Sequence, residues 1–303
     1  MNIDKLAGSV NKNGHVCIGL DTSIDYVPPA ERGALSASEA VFSFNKAVID
    51  ATYDIAACYK AQIAYYEEMG VSGLKTYART LKYIRDRGCL VIADIKRSDI
   101  ADTAERYAKA HFSGDFEADF VTLNPYMGMD SIEPWIKHAR DSRGKGAFVL
   151  MRTSNPGMRD FQRLELKHEN KTRVYNEVGS KMSALAEKHK GSSGYGMFGV
   201  VVGCTEKEEA EEIRKTYPDL FFLIPGYGAQ GGGAREAALL LQNGNGGVVN
   251  ASRSIITAWQ KIESGLQGGA SSLKMKKADN AFAAEAARNA AIKARDEIRA
   301  AVK

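Results

Sequence analysis

Residues 91–103 read VIADIKRSDIADT, an apolar run that ends abruptly in charged residues. Asp94 and Lys96 are two positions apart, so on an extended strand both side chains lie on the same face. In a closed parallel barrel that face is the interior, where an adjacent acid and base are costly to desolvate. Asp99 adds a second carboxylate just after the strand. Charge concentrated at the end of a buried strand indicates a functional site.

A purely structural interpretation of the same residues is also open. Asp99 could be the N-cap of the following helix, with Asp102 at its N3 position. Asp94 and Lys96 could form an ordinary ion pair at the rim of the barrel. The rest of the chain favours the functional interpretation.

The composition excludes several classes of protein. The chain has 303 residues and a net charge of only +4, with both signs mixed along it, which argues against a dedicated nucleic-acid binder. It has no apolar run long enough to cross a membrane and no signal-peptide core at its N-terminus. Its four cysteines form no C-x-x-C pair, and its five histidines show no metal-site spacing. We therefore expect a cytoplasmic protein without a bound metal.

Short apolar runs alternate with helical patterns along most of the chain. Strands followed by helices predict parallel pairing, and eight such units predict an α/β fold of the closed (β/α)8 type, a TIM barrel. A doubly wound open sheet is the rival, but its glycine fingerprint lies near the start, whereas the glycine-rich turn here follows the seventh strand. The predicted strands are 15–21, 56–61, 89–95, 119–124, 147–152, 197–203, 220–225 and 247–250.

We expect residues 1–303 to form a single barrel domain with its core at about 14–265. Residues 156–196 form a long connection that carries no recognisable chemical motif. The alanine-rich residues 270–303 predict an extra C-terminal helix, which packs outside the barrel or against a partner.

Polar residues mark the carboxyl ends of the predicted strands, where barrel enzymes place their active sites. Lys60 is the least ordinary of them, because it interrupts an apolar strand and lysine is rarely buried unless it is paired. Two lysines and two or three aspartates would meet at one barrel mouth. The strand-end residues are Asp21, Lys60, Asp94, Lys96, Asn124, Ser154, Pro225, Asn250 and Arg253.

Residues 226–231 read GYGAQG and match G-x-G-x-x-G. A dinucleotide site would require an acidic residue at the end of the next strand, where this chain has Asn250, so we reject that interpretation. A phosphate-binding loop fits better, since glycines let backbone N–H groups approach an anion. Arg253, after the eighth strand, could add a charge-assisted contact. A merely flexible loop and a surface arginine remain the alternatives.

Together these residues resemble the orotidine 5'-phosphate decarboxylase family. The D-x-K-x-x-D-I-x-x-T pattern of residues 94–103 is similar to its signature, although D-x-K-x-x-D alone also occurs in sister sugar-phosphate barrels. The glycine loop with Gln230 and the Arg253 segment make the resemblance specific. It covers about residues 14–265, and the long connection and tail are similar to the longer branch of the family. The other matching segments are 19–21, Lys60, 154–156, 225–232 and 251–254.

The resemblance implies conversion of orotidine 5'-monophosphate to UMP and CO₂ without a cofactor, the last step of de novo UMP biosynthesis. Lys96 would stabilise and protonate the carbanion left at C6 of the pyrimidine. Asp94 would lie near the substrate carboxylate, and Lys60 and Asp99 would hold the charges in register.

The resemblance also implies a homodimer, in which Asp99, Ile100 and Thr103 enter the partner's site. The remaining binding residues surround the substrate of their own chain. Ser154 would bind the pyrimidine edge, and Asp21 and Lys60 the ribose hydroxyls. The phosphate group and the rest of the pocket would be contacted by Gln230, Arg253 and Pro225.

Three other functions stay open at this point. A metal-dependent sugar-phosphate decarboxylase of the same superfamily would lose activity with a chelator. A Schiff-base aldolase using Lys60 or Lys96 would be trapped by borohydride. A non-catalytic sensor would bind UMP without turnover, although such a binder has no need of so costly a set of charges.

Overall fold

A computed structural model describes residues 1–142, 144–167, 172–228, 231–267 and 278–302. Eight parallel strands form a closed barrel in chain order, and the barrel closes by pairing of the eighth strand with the first. The predicted (β/α)8 barrel is confirmed, and the open-sheet alternative is wrong. The strands are β1 Val16–Gly19, β2 Cys58–Gln62, β3 Val91–Arg97, β4 Phe120–Leu123, β5 Gly146–Arg152, β6 Phe198–Val202, β7 Phe222–Ile224 and β8 Gly247–Ala251.

Helices connect successive strands on the outside of the barrel. A helix also precedes β1, and two further helices follow the short one after β8. The helices of the described residues are α1 Asn2–Asn13, α2 Pro29–Ala34, α3 Ala37–Thr52, α4 Ala64–Glu67, α5 Gly70–Asp86, α6 Ala101–Phe112, α7 Glu133–Asp141, α8 Met158–Phe161, α9 Val174–Lys188, α10 Lys207–Thr216, α11 Ala234–Ala238, α12 Arg253–Ile256, α13 Ala258–Gln267 and α14 Asn280–Ala301.

Helix α1 closes the amino end of the barrel. Its apolar residues recur every three or four positions and so form one face, on which Ile3, Leu6 and Val10 are buried. That face packs against inward-facing strand residues such as Phe120 and Phe148. Because the amino end is filled, the barrel interior is accessible from the carboxyl ends of the strands.

Helix α14 is the predicted extra C-terminal helix. Its N-cap, Asp279, accepts a hydrogen bond from the backbone N–H of Phe282 at 2.9 Å. Its buried alanines pack against α3, α11, α12 and α13, and Arg288 forms an ion pair with Asp54 at 2.6 Å. The helix therefore packs outside the barrel, which is the first of the two placements predicted from the sequence. Residues 270–277 and 303 of the predicted segment are outside the described residues.

The connection 156–196 contains two helices, α8 and α9, which follow β5 as the predicted alternation of strands and helices requires. Among the described residues, no helix has the length and apolarity needed to span a bilayer. In the same part of the chain, no three His, Cys, Asp or Glu side chains are grouped so that they could hold a metal ion.

Candidate active site

Four charged side chains of alternating sign cross the open end of the barrel. Asp21 follows β1, Lys60 lies on β2, and Asp94 and Lys96 lie on β3. Lys60 Nζ donates to Asp21 Oδ1 at 3.1 Å and to Asp94 Oδ2 at 2.9 Å. Lys96 Nζ donates to Asp94 Oδ1 at 2.6 Å. We call these four residues the charged array, which the sequence predicted as a convergence of strand-end residues.

The two central members of the charged array are buried, and the outermost lysine is open to the cavity. The side chains of Lys60 and Asp94 are 6% and 9% exposed, whereas that of Lys96 is 46% exposed. Burial alone would lower the pKa of Lys60, but Asp21 and Asp94 raise it above its ordinary value. Burial alone would raise the pKa of Asp94, but Lys60 and Lys96 lower it well below its ordinary value. Both groups are therefore charged at neutral pH.

The backbone of β3 is irregular where it carries Lys96. The register between β3 and β4 shifts between Ala93 and Arg97, and Lys96 has a φ of +46°. A residue with a side chain held in this left-handed region costs about 1–3 kcal/mol, so the surrounding contacts must stabilise it. One of those contacts comes from Thr122 on β4, whose hydroxyl donates to Asp94 Oδ1 at 2.8 Å.

At the other end of the charged array, Ser252, which directly follows β8, holds Asp21. Ser252 Oγ donates to Asp21 Oδ2 at 2.9 Å and accepts from Asn250 Nδ2 at 3.2 Å. This contact requires glycine at position 19, because a Cβ there would lie 1.8 Å from Ser252 Oγ. The glycine of the Gly19-Leu20-Asp21 segment is thus explained by the close approach of Ser252 to the end of β1.

A cavity of about 500 Å³ opens beside the charged array, within the range of small-molecule sites. All four members of the charged array line it, together with the predicted residues Ser154 and Pro225. Its apolar lining is provided by Leu150, Val201 and Leu223, and further polar groups on its walls are Gln62, Tyr65, Thr122, Thr153, Asn155 and Asn250. One cavity therefore combines a strongly charged wall with an apolar one.

A larger cavity of about 920 Å³ lies beside α1 at the amino end of the barrel, with Lys145 among its walls. Lys145 Nζ there forms an ion pair with Glu117 at 2.8 Å. Reacting groups in such barrels stand at the carboxyl ends of the strands, so we assign the candidate active site to the smaller cavity.

The three residues expected to enter a partner's site are not among the residues that line the cavity in the described part of the chain. Asp99 lies in the loop between β3 and α6, and its carboxylate accepts the N–H of Ile100 at 2.8 Å. Ile100 is the N-cap of α6 and is 47% exposed, so the interpretation of Asp99 as the N-cap is wrong. Thr103, on the first turn of α6, is also exposed. A position in a partner's site stays a prediction for all three.

The predicted phosphate-binding residues lie in and after the glycine loop. Gly226 and Gly228 have positive φ angles of 105° and 76°, which glycine adopts without strain. Gln230 is outside the described residues. Arg253 begins α12 with its side chain exposed and is not among the residues that line the cavity in the described part of the chain.

The polar residue that the sequence marks at the end of the fourth strand does not line the cavity in the described part of the chain. Asn124, at the strand end, accepts the N–H of Tyr126 and so caps a 3-10 turn. The residue that reaches the charged array is Thr122, two positions earlier. The sequence carries one sign of this position. Residues two apart on a strand face the same side, so Thr122 lies on the same face of β4 as the inward-facing Phe120.

Comparisons with known proteins agree with this geometry. A family model described as "Orotidine 5'-phosphate decarboxylase / HUMPS family" matches residues 14–265. The chain belongs to this family. The resemblance proposed from the sequence motifs is thereby confirmed, over the same range of residues.

Some known proteins are similar to this chain over nearly the whole length of both, in sequence or in structure. The orotidine 5'-phosphate decarboxylase of Clostridium perfringens strain 13 is 52% identical over 303 residues, which cover 100% of this chain and 99% of that protein. That of Clostridium acetobutylicum is 54% identical over 300 residues, covering 99% of each. The structure of Leishmania donovani OMP decarboxylase has a TM-score of 0.73 at 26% identity and covers 99% of this chain and 97% of that one.

Proposed function

We propose that the protein is an orotidine 5'-phosphate decarboxylase, a carbon–carbon lyase that converts orotidine 5'-monophosphate to UMP and CO₂ without a cofactor. This reaction is the last step of de novo UMP biosynthesis. The observation that carries the proposal is the charged array, which lines a cavity with an apolar opposite wall. Relatives of this name that match the full length of the chain support it.

The reaction requires stabilisation of negative charge at one carbon. Loss of the carboxylate leaves an electron pair on C6 in the plane of the pyrimidine ring, where ring resonance gives little help. Lys96 is suited to this position, because its ammonium is half exposed to the cavity while Asp94 holds it at 2.6 Å. We assign Lys96 two roles, electrostatic stabilisation of the developing carbanion and donation of the proton that replaces CO₂.

Asp94 has a second role in this proposal. Its buried carboxylate would lie near the substrate carboxylate, and two like charges about 4 Å apart repel by about 4 kcal/mol at an effective dielectric constant near 20. Departure of CO₂ relieves this repulsion. The effect is only part of the roughly 8–23 kcal/mol by which enzymes usually lower a barrier, so other interactions, including that of the Lys96 ammonium, must supply the rest.

The remaining residues bind the nucleotide and complete the charged array. Lys60 and Asp21 would contact the ribose hydroxyls, and Ser154 the pyrimidine edge. Pro225 would form part of the pocket wall. The phosphate would be bound by Gln230, Arg253 and the amides of the glycine loop, and its binding energy would help to assemble the site.

The proposal includes a homodimer in which Asp99, Ile100 and Thr103 of one subunit complete the site of the other. Ile100 and Thr103 are exposed near the cavity-bearing end of β3, so they are free to contact a partner, which supports this arrangement. We also propose that residues 1–303 form one domain and that the protein is cytoplasmic, with no nucleic-acid or membrane partner.

An absorbance assay for loss of orotidine 5'-monophosphate, with added chelator and no cofactor, tests the function. We expect turnover by the purified protein and loss of turnover in Lys96→Ala, with UMP binding still measurable by calorimetry. Activity that requires a metal would favour a sugar-phosphate decarboxylase, and trapping by borohydride would indicate a Schiff base. UMP binding without turnover would identify a sensor.

A further inference from the structure

We propose that Thr122 is a positioning residue, which fixes the backbone of Lys96 and the carboxylate of Asp94 so that the ammonium of Lys96 is aimed at the reacting carbon. This inference rests on the proposed decarboxylase function and adds to it a residue on β4. Thr122 does not act on the substrate itself. It acts through the two residues of β3 that it contacts.

The register of the sheet shows why β3 needs support at this point. Ala93 pairs with Val121 and Arg97 pairs with Leu123, so residues 94–96 of β3 stand opposite the single residue Thr122 of β4. Such an insertion in one strand leaves backbone groups without their usual ladder partners. Buried N–H groups left without an acceptor are costly, so another acceptor must satisfy them.

The hydroxyl of Thr122 supplies that acceptor. Its oxygen accepts the N–H groups of Ile95 and Lys96, each at 3.0 Å. Its hydrogen is donated to Asp94 Oδ1 at 2.8 Å. A hydroxyl has one hydrogen and two lone pairs, so these three bonds use its full capacity. Thr122 is 1% exposed, so although it lines the cavity its hydroxyl has no free hydrogen-bonding capacity for the substrate.

These three bonds bear on the geometry of the reacting lysine. Lys96 has its φ at +46°, a conformation that a side-chain-bearing residue adopts only when its surroundings impose it. Thr122 Oγ1 accepts the hydrogen bond of the Lys96 amide and donates its own hydrogen to Asp94 Oδ1. Asp94 Oδ1 also accepts a hydrogen bond from Lys96 Nζ. Thr122 therefore links the two ends of Lys96, its backbone and its ammonium, through one carboxylate.

The experiment compares Thr122→Val with Thr122→Ser in the full-length protein. Valine keeps the branched shape and removes all three hydrogen bonds, whereas serine keeps the hydroxyl. We expect Thr122→Val to lower kcat about 100-fold, as a displacement of about 1 Å does, and to change the affinity for UMP less than about threefold. Thr122→Ser should stay within about fivefold of the wild-type kcat.

A matched control separates positioning from stability. Thr52 is likewise buried with a bonded hydroxyl, which donates to Val48 O at 2.7 Å, but it lies on α3 away from the cavity. Thr52→Val should lower the melting temperature without lowering kcat. If Thr122→Val does not fold, Thr122→Ala replaces it, with the same expected loss of kcat.

The outcomes distinguish this inference from the function on which it rests. A wild-type protein without decarboxylase activity would overturn both. An active wild type with an equally active Thr122→Val would overturn the inference alone. An equal loss of kcat in Thr122→Ser and Thr122→Val would also overturn the inference alone, because serine keeps the hydroxyl to which the inference assigns the effect.

Discussion

Replacing Lys60 by methionine should destabilise the protein strongly at neutral pH. The change removes the ammonium that lies between Asp21 and Asp94 and keeps an unbranched side chain in its place. The Lys60 side chain is only 6% exposed, and breaking a buried ion pair on one side costs about 3–5 kcal/mol. With an unfolding entropy of about 2.1 cal/mol/K for each of 303 residues, the melting temperature should fall by about 5–8 °C.

The size of this loss should depend on pH. Lys60 and Lys96 lower the pKa of Asp94, so its stabilising contribution is present above the unfolded carboxylate pKa of about 3.9 and is lost as the pH falls below it. The pKa of Lys60 is raised, so its contribution is present below the unfolded lysine pKa of about 10.4 and is lost as the pH rises through the folded value. The deficit of Lys60→Met should therefore be largest between these limits and shrink at acid pH, where Asp94 of the variant takes up a proton.

Lys96→Met is the matched control, because Lys96 bonds the same carboxylate at 2.6 Å but is 46% exposed. Pairs open to solvent contribute at most about 1 kcal/mol, so its melting temperature should fall by only about 1–2 °C. Differential scanning calorimetry near pH 7 and near pH 3 measures both variants. Equal losses in the two variants, or a Lys60→Met protein as stable as the wild type, would refute the reasoning.

Three further predictions concern activity. Asp99→Ala and Lys96→Ala should each be inactive alone, but an equal mixture should recover about a quarter of wild-type turnover after subunit exchange. Half of the dimers would then contain one chain of each kind, and each of these would carry one intact site. No recovery would place Asp99 in its own chain's site. Arg253→Ala should weaken turnover of the nucleotide far more than that of the unphosphorylated nucleoside in steady-state assays, and equal losses would remove Arg253 from phosphate binding. Gly19→Ala should lower kcat/KM about 10-fold or more, because the new Cβ would lie 1.8 Å from Ser252 Oγ and push that hydroxyl away from Asp21. Unchanged kinetics would show that the hydrogen bond between Ser252 and Asp21 is dispensable.

The fold could be predicted because its signals are local. Each strand of the barrel is a short apolar run, and the number and alternation of the runs predicted eight parallel strands. The C-terminal helix followed from its alanines. Four members of the charged array followed as well, since a parallel barrel brings the carboxyl ends of all its strands to one opening.

The supports of the charged array could not be predicted, because they depend on the register between strands. Nothing in residues 94–96 shows that they stand opposite Thr122 alone, and nothing in Gly19 shows that Ser252 approaches it. These pairings join segments about 30 and 230 positions apart. A sequence shows which side chains belong to a strand, whereas the offset between two strands decides which side chains touch.

The placement of the charges follows from the same geometry. Lys60 and Asp94 are buried, and each is paired with two groups of opposite charge. These pairs offset the free-energy cost of removing both charges from water. Lys96 is held by one of those partners and remains half exposed, so its ammonium is free to meet a substrate. The buried part of the charged array thus fixes the position of its exposed end, so a substitution at Lys60 should lower stability as well as ribose binding, while one at Thr122 acts mainly on the rate.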